Sequence, residues 1–291
     1  MIELIEKAQI LSEALPYFKE FSGKNIVIKY GGSAMIDEKM REIVVRDIML
    51  MKYVGINPIV VHGGGKHVTE MMNRLGKEAV FLDGVRVTDG ETVSIAEMVL
   101  TGMINKSIVA LFHKMGASAV GLSGKDGKLV EVKKKEHKDK DYGFVGEIVQ
   151  VHPKIISVLE GNGFIPVISP IGIDSDGQTF NINADHVAYA IASEIKAEKL
   201  IFLTDVGGVY KDIKDPQGIT QTLPDNMLGE RVKDGTISGG MLPKLEKSIE
   251  TLKKGVRKIH IINGMIEHSL LLEVFTTGGI GTEIVLNGKL S

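Results

Sequence analysis

The sequence contains no cysteine. Disulfides, thiolate metal sites and cysteine nucleophiles are all excluded, and the composition suits a reducing compartment, the cytoplasm. Net charge is nearly absent as well: 35 Lys and Arg against 37 Asp and Glu leave −2, so neither nucleic acid nor an anionic membrane is indicated as a partner. No apolar run approaches the ~18 residues of a membrane span. Glu3, Glu6 and Lys7 interrupt the apolar N-terminus, which argues against a secretory signal. Two familiar nucleotide signatures are missing. The pattern G-x-x-x-x-G-K-[ST] does not occur, because Gly65-Lys66 is followed by His67, and the spaced G-x-G-x-x-G of dinucleotide folds is absent. Asp174-Ser175-Asp176-Gly177 opens like a calcium loop but lacks the later glutamate, and reads as a tight turn.

What the chain does have is 34 glycines, grouped behind apolar runs. Asn25-Ile26-Val27-Ile28-Lys29-Tyr30-Gly31-Gly32 reads as a buried strand ending in a glycine pair, followed by a helix over about 37–54 capped by Asp37. Pro58–His62 is a second such strand, ending in Gly63-Gly64-Gly65 ahead of a helix at about 68–75. Strand, glycine turn and helix alternate, which implies right-handed βαβ units and a parallel sheet, with the turns at its ligand-binding edge. Asp83-Gly84 predicts a hairpin carrying Arg86. Residues 92–115 read as a long helix, and 133–141 as a solvated mixed-charge loop. Later turns close strands at Asp205-Val206-Gly207-Gly208 and Asn263-Gly264, and Ser238-Gly239-Gly240-Met241 opens a helix. The N-terminal 1–21 is an amphipathic helix that Pro16 is expected to kink or interrupt.

Backbone N–H groups of such turns, with helix N-termini, make a cradle for polyanions, and Lys29 is placed to meet an anion held there. Taken alone, Lys29 is equally a surface lysine, Asp185 a helix-start acid, and Asn181 and Asn183 turn residues. His62 has the type of a metal ligand or acid/base residue, but with no partner nearby a structural hydrogen bond is favoured. Lys66 is expected to point to solvent. The Asn105-Lys106-Ser107 glycosylation pattern falls inside a predicted helix and is discounted.

Lys29-Tyr30-Gly31-Gly32-Ser33-Ala34, His62-Gly63-Gly64-Gly65, Gly84-Val85-Arg86-Val87-Thr88, Asn181-Ile182-Asn183-Ala184-Asp185, Leu203-Thr204-Asp205-Val206-Gly207-Gly208 and Gly239-Gly240-Met241-Leu242-Pro243-Lys244 occur in an order that resembles the amino acid kinase family over essentially the whole chain. The resemblance implies an open αβα sandwich with a mainly parallel central sheet and two lobes. It also implies ATP-dependent phosphorylation, with Mg2+, of the γ-carboxylate of N-acetyl-L-glutamate in arginine biosynthesis. On that basis residues 1–21 form an interlacing helix, 22–175 a lobe for the acyl amino acid and dimerisation, and 176–291 the ATP lobe. A carboxylate is already ionised at neutral pH, so the enzyme must supply positioning and charge neutralisation rather than a base.

By resemblance, Lys29 and Lys244 neutralise the phosphoryl group, the Gly32 and Gly64 amides donate to it, and Asp185 orients the two lysines. Gly64, Gly65, Arg86, Asn181 and Asn183 bind the amino acid. Lys29, Thr204, Asp205, Gly207, Gly240 and Lys244 line the nucleotide site, and no protein side chain is assigned to the metal. The N-terminal helix resembles that of arginine-inhibited homohexamers, which places L-arginine near Tyr17, Lys199, His268, Glu273 and Gly281. Two places depart from the family pattern: Lys66-His67 stands where small residues or Pro are commoner, and Gly278-Gly279 where a charge is expected. Aspartate, glutamate, carbamate and UMP kinases share the expected fold; Arg86 with Asn181 and Asn183 argues for N-acetyl-L-glutamate, and the lack of an added regulatory or RNA-binding domain after residue 291 is expected to count against aspartate and glutamate kinases. A catalytically silent arginine sensor is the rival from another class, opposed by Lys29, Lys244 and Asp185.

Overall fold

The computed structural model describes residues 2–211, 218–237 and 239–287; Met1 and Ser238, both included in expected helices, lie outside them. Helix α1 (Ile2–Phe21) leads to strand β1 (Asn25–Tyr30), α2 (Glu38–Tyr53), β2 (Asn57–His62) and α3 (Gly65–Arg74). The hairpin of β3 (Phe81–Leu82) and β4 (Val85–Arg86) follows, then α4 (Gly90–Glu97), a π-helical stretch (Met98–Ile104) and α5 (Asn105–Lys114). Next come β5 (Ala119–Ser123), β6 (Val130–Lys134), β7 (Gly146–Val151), α6 (Lys154–Gly161), β8 (Ile165–Ser169), β9 (Ile171–Ile173), β10 (Thr179–Asn181) and α7 (Ala184–Glu194). The chain continues through β11 (Lys199–Thr204), β12 (Thr222–Pro224), α8 (Leu228–Lys233), α9 (Met241–Lys253), β13 (Lys258–Asn263), α10 (Ser269–Val274) and β14 (Thr282–Val285).

The main sheet has eight strands in the order β12–β14–β13–β11–β1–β2–β8–β5 and is flanked by helices, the expected α/β class. The pairs β11–β13, β12–β14, β2–β8 and β5–β8 are parallel, and β13–β14 is antiparallel. A separate four-stranded sheet, β10–β9–β6–β7, was not expected from the sequence. Its strands are short and half-solvated, so they lack the long apolar runs that mark the main strands.

Contacts gather into two compact units, one of Met1–Ile26, Gly32–Pro58 and Lys196–Ser291, the other of Val27–Gly31 and Ile59–Ile195. The sequence reading drew one linear boundary at 175/176. The stretch 176–195 joins the second unit because β10 pairs with β9 and α7 packs on β7. The first unit centres on β11 and β13, whose Leu200, Phe202, Leu203, Ile259 and Ile261 are fully buried. The second centres on β2, β8 and the helix over Gly90–Lys114, with Val61, Val167, Ile108 and Phe112 fully or almost fully buried.

The helix Gly90–Lys114 is, among the described residues, long and apolar enough by length and composition to cross a membrane. Its Val93, Ile95, Ala96, Val99 and Leu100 are buried in the fold, so it is a core helix. Helix α1 runs on through Pro16 rather than being interrupted; a single proline removes one backbone donor, and the turns on either side still close. The hairpin turn takes the left-handed conformation its Asp-Gly dictates, with φ 51° at Asp83 and 75° at Gly84. The acidic turn at Asp174 is also as expected: its Oδ1 accepts from the N–H groups of Asp176 and Gln178.

Candidate active site

In the second unit, β1 delivers Lys29 to the loop end. Its Nζ lies 3.0 Å from Asp185 Oδ1, with side chains only 15% and 22% exposed. A Cβ on Gly31 would sit 2.5 Å from that Nζ, so glycine there leaves room for the lysine to fold back over its own loop. Asp185 is in the first turn of α7, and Asn183 caps the same helix by accepting from Asp185 N–H at 2.8 Å. Asn183 thus performs the turn chemistry open to it, which commits its carbonyl oxygen and leaves the amide nitrogen. Asn181 ends β10, and its N–H donates to Phe144 O at 2.9 Å.

The second glycine loop is tied to the first, since Gly63 N–H donates to Tyr30 O at 2.8 Å. Helix α3 begins at Gly65, earlier than the expected start near residue 68, so the triplet itself is the helix N-terminus. A helix N-terminus with glycine amides favours anions. Gly64 has φ 153°, and its Cβ would meet Ile104 Cδ1 at 2.4 Å.

Arg86 on β4 is 8% exposed, and none of the ion pairs found among the described residues includes it. Its Nη2 donates to Gly65 O at 2.9 Å and to Thr69 Oγ1 at 2.7 Å, and its guanidinium lies 4.7 Å from the Phe81 ring centroid. Burial lowers its pKa, but a guanidinium stays charged, so α3 and β4 present a buried cation suited to a carboxylate.

In the first unit, Gly32 takes φ 71°, and a Cβ there would lie 2.6 Å from Asp205 Oδ1. The same oxygen accepts from Ser33 N–H at 2.6 Å, so Asp205 fixes the loop after β1. Thr204 closes β11 with a turn of its own: Oγ1 donates to Val206 O at 2.8 Å and accepts from Val206 N–H at 3.1 Å. Gly207 packs against Ile219, whose Cδ1 would be 2.7 Å from an added Cβ. Gly240 precedes α9, and a Cβ there would meet nothing within 4 Å. Lys244 stands on the first turn of α9 with Nζ 4.6 Å from the Phe202 ring centroid. A helix N-terminus with a lysine on its first turn favours an anion.

The expected arginine residues divide. Lys199, Glu273 and Gly281 gather around His260, which sequence reading missed. Lys199 Nζ lies 3.2 Å from His260 Nε2, and His260 Nδ1 lies 2.6 Å from Glu273 Oε1. Glu273 Oε2 accepts from the N–H groups of Ile280 at 2.7 Å and Gly281 at 3.0 Å. Burial pushes Glu273 up, yet His260 and the two amides hold it below its ordinary range. Burial and the Lys199 charge lower His260, so the ring is neutral, accepts from Lys199 and donates to Glu273. Burial lowers Lys199 as well, and its Nζ sits 5.0 Å from the Phe21 ring, on which Tyr17 stacks. His268 pairs with Asp47 instead, at 2.7 Å.

His260 gives no local signal, being one histidine in an apolar strand; only the β11–β13 register, which sets Lys199 and Lys258 opposite each other, brings it near Lys199. Thr69 is concealed in the same way, lying one helical turn beyond Gly65. Asn105 is 1% exposed and therefore closed to glycosylation, as expected.

This sheet order, with glycine loops closing its strands, is an open α/β fold of the kind that binds ligands at the strand ends. A family model for the amino acid kinase family matches residues 24–263, and the chain belongs to that family. Among its relatives, the acetylglutamate kinase of Methanocaldococcus jannaschii is 52% identical over 98% of both chains. That of Aquifex aeolicus is 50% identical over 98% of this chain and all of its own. Of solved structures, the N-acetylglutamate synthase of Neisseria gonorrhoeae complexed with coenzyme A and N-acetyl-glutamate shares the fold, with a TM-score of 0.85 and 23% identity over 97% of this chain. This chain spans 64% of that synthase chain. The same synthase complexed with coenzyme A and L-arginine gives a TM-score of 0.80 at 23% identity, covering 96% of this chain and 65% of that one.

Proposed function

We infer that this chain transfers the γ-phosphoryl group of ATP to the γ-carboxylate of N-acetyl-L-glutamate. The observation that carries this is the full-length identity of about half to proteins named acetylglutamate kinase. A carboxylate oxygen attacks phosphorus, the bond to the β–γ bridging oxygen breaks, and ADP leaves with that electron pair; the product is an acyl phosphate. Both partners are anions, so the work is charge neutralisation and alignment. Lys29, oriented by Asp185, meets the charge on the transferring group, and the Gly32 and Gly64 amides donate to its oxygens. Lys244 and the glycines before α9 attend the nucleotide phosphates, with Thr204, Asp205 and Gly207 around the nucleotide. Arg86, set by Thr69 and Gly65, takes the substrate α-carboxylate, and Asn181 and the Asn183 amide bind the rest of the amino acid. No protein side chain is assigned to the metal; Mg2+ would be held largely by phosphate and water oxygens. That ion supplies further neutralisation of the phosphates. The site of action is the cytoplasm.

The test is ADP release with Mg-ATP and N-acetyl-L-glutamate, the acyl phosphate being trapped as its hydroxamate. Product only from N-acetyl-L-glutamate, lost in Lys29→Ala, is the expected result. Turnover only with aspartate, glutamate or UMP would move the substrate and keep the family.

We further propose a homohexamer, a trimer of dimers, inhibited by L-arginine bound at Lys199, Glu273 and Gly281, near Tyr17 and His268. Support comes from α1, where Leu11 and Leu15 are 66% and 59% exposed. An apolar face of that kind suits a second copy of the chain. Deleting residues 1–20 is expected to reduce the hexamer to dimers and abolish the inhibition. An unchanged sedimentation coefficient would overturn the assembly.

A further inference from the structure

His62 is fully buried at the end of β2, one residue before the glycine loop. Its Nδ1 lies 2.8 Å from the carbonyl oxygen of Gly63, and its Nε2 3.2 Å from Asn105 Nδ2. A carbonyl can only accept, so Nδ1 carries the proton. In a neutral ring Nε2 must then accept, and it faces a group able to donate. Asn105 is fixed the same way round by its other partners. Nδ2 also lies 2.9 Å from Val167 O and 3.3 Å from Leu122 O, while Oδ1 lies 3.2 Å from Lys106 Nζ. Every contact agrees with one tautomer and one amide orientation. Burial and the Lys106 charge both lower the ring's pKa, to about 4, so it stays neutral at working pH.

The arrangement has a consequence for the loop. The Gly63–Gly64 peptide is trans, so its N–H points opposite to its C=O. Drawing the Gly63 carbonyl towards the buried ring turns the Gly64 N–H the other way, out of the core. The helix over Gly90–Lys114 supports both parts. Its π-helical stretch, Met98–Ile104, carries an extra residue per turn and ends immediately before Asn105. From that stretch Leu100 and Ile104 fill the space a Cβ on Gly64 would need, and the next residue holds His62. On the other side Gly121 leaves room for the amide, since its Cβ would lie 1.8 Å from Asn105 Oδ1.

We propose that His62, held in its Nδ1–H form by Asn105, is a positioning residue for phosphoryl transfer that aims the Gly64 N–H at the transferring group. This rests on the reading of the Gly64 amide as a phosphoryl donor. His62 makes no proton transfer; it sets the direction of a peptide dipole, which must be fixed before charge develops.

Two substitutions separate its bonds. The side-chain amide of His62→Asn reaches the Nδ1 position and keeps the bond to Gly63. That of His62→Gln reaches the Nε2 position and keeps only the bond to Asn105. Hydroxamate formation is measured for both with Mg-ATP and N-acetyl-L-glutamate, alongside Lys29→Ala, and kcat is corrected for the folded fraction. His62→Gln is expected to lose roughly 10- to 100-fold in kcat, the range for supports one step removed from the chemistry, with both KM values within about threefold. His62→Asn is expected to retain at least ten times the kcat of His62→Gln. Equal kcat in the two variants, with Lys29→Ala inactive, would overturn the role of His62 alone. Full activity in Lys29→Ala would overturn the site reading beneath it. A measurement on the unmodified protein covers the case in which neither variant folds. Nitrogen-15 shifts of His62 between pH 6 and 9 are expected to report the neutral Nδ1–H tautomer, and an Nε2–H ring or an imidazolium would overturn the proposal.

Discussion

His260 joins Lys199 to Glu273, its two ring nitrogens 3.2 Å from Lys199 Nζ and 2.6 Å from Glu273 Oε1. All three side chains are buried, so removing the ring leaves a cation and an anion each short of a partner. His260→Leu is expected to cost about 1–3 kcal/mol, seen as a fall of several degrees in Tm. It is also expected to weaken the proposed arginine inhibition at least tenfold while leaving kcat near its original value. An inhibition curve identical to the parent's would remove this cluster from the proposed regulatory site.

Lys29 and Asp185 form an ion pair at 3.0 Å, and their proposed joint role in phosphoryl transfer can be tested. Lys29→Ala is expected to lower kcat by about 10²–10³-fold. Asp185→Asn, which retains a polar residue at the start of α7, should lower it by about 10- to 100-fold through lost orientation. The double variant should be little worse than Lys29→Ala, since groups acting as a unit are not additive. Four kcat values suffice, and strict additivity would mean that the two residues work independently.

Arg86→Lys keeps the charge but loses the planar fork that reaches Thr69 and Gly65. The expected result is a KM for N-acetyl-L-glutamate raised by roughly tenfold or more, with kcat within about threefold and KM for ATP unchanged. A selective rise in the KM for ATP would place Arg86 on the nucleotide instead.

Asp47 on α2 is 1% exposed, and its Oδ2 has no hydrogen-bond partner. Burial raises its pKa to about 6, although the bond with His268 works in the opposite sense. The folded state therefore holds this proton more tightly than the unfolded chain. The resulting stability is fully present below about pH 4 and is lost as pH rises through 6, at most about 3 kcal/mol. Asp47→Asn is expected to flatten the decline in Tm between pH 5 and 7.5 relative to the parent. Parallel Tm–pH curves for the two proteins would show that Asp47 does not titrate in that range.

The alternating strands, glycine turns and helices were legible because buried parallel strands are continuous apolar runs and glycine marks their ends. Lys29, Arg86 and Asp185 were singled out through the resemblance of their motifs to the family; taken alone, Lys29 reads equally as a surface lysine and Asp185 as a helix-start acid. What escaped was set by tertiary register. His260 and Thr69 look like any strand histidine or helix threonine until the neighbouring element is in place. Asn105 was visible only as a glycosylation pattern to be discounted. The π-helical stretch before it left no mark, since periodicity over Gly90–Lys114 reads as an ordinary helix. The α3 start was placed too late because glycine is a poor helix former, whereas at this N-terminus its missing Cβ is what Ile104 and Leu100 require.

The 1.8 Å between Asn105 Oδ1 and a Cβ at residue 121 ties two positions that sit in different elements. Neither can drift alone. A methyl at 121 expels the Asn105 amide, whereas a residue smaller than Asn at 105 frees 121 to accept a side chain. In a library randomised at both positions, glycine at 121 should survive selection wherever Asn105 does, and larger residues at 121 should appear only with a smaller residue at 105. The pair would then behave as a single heritable unit.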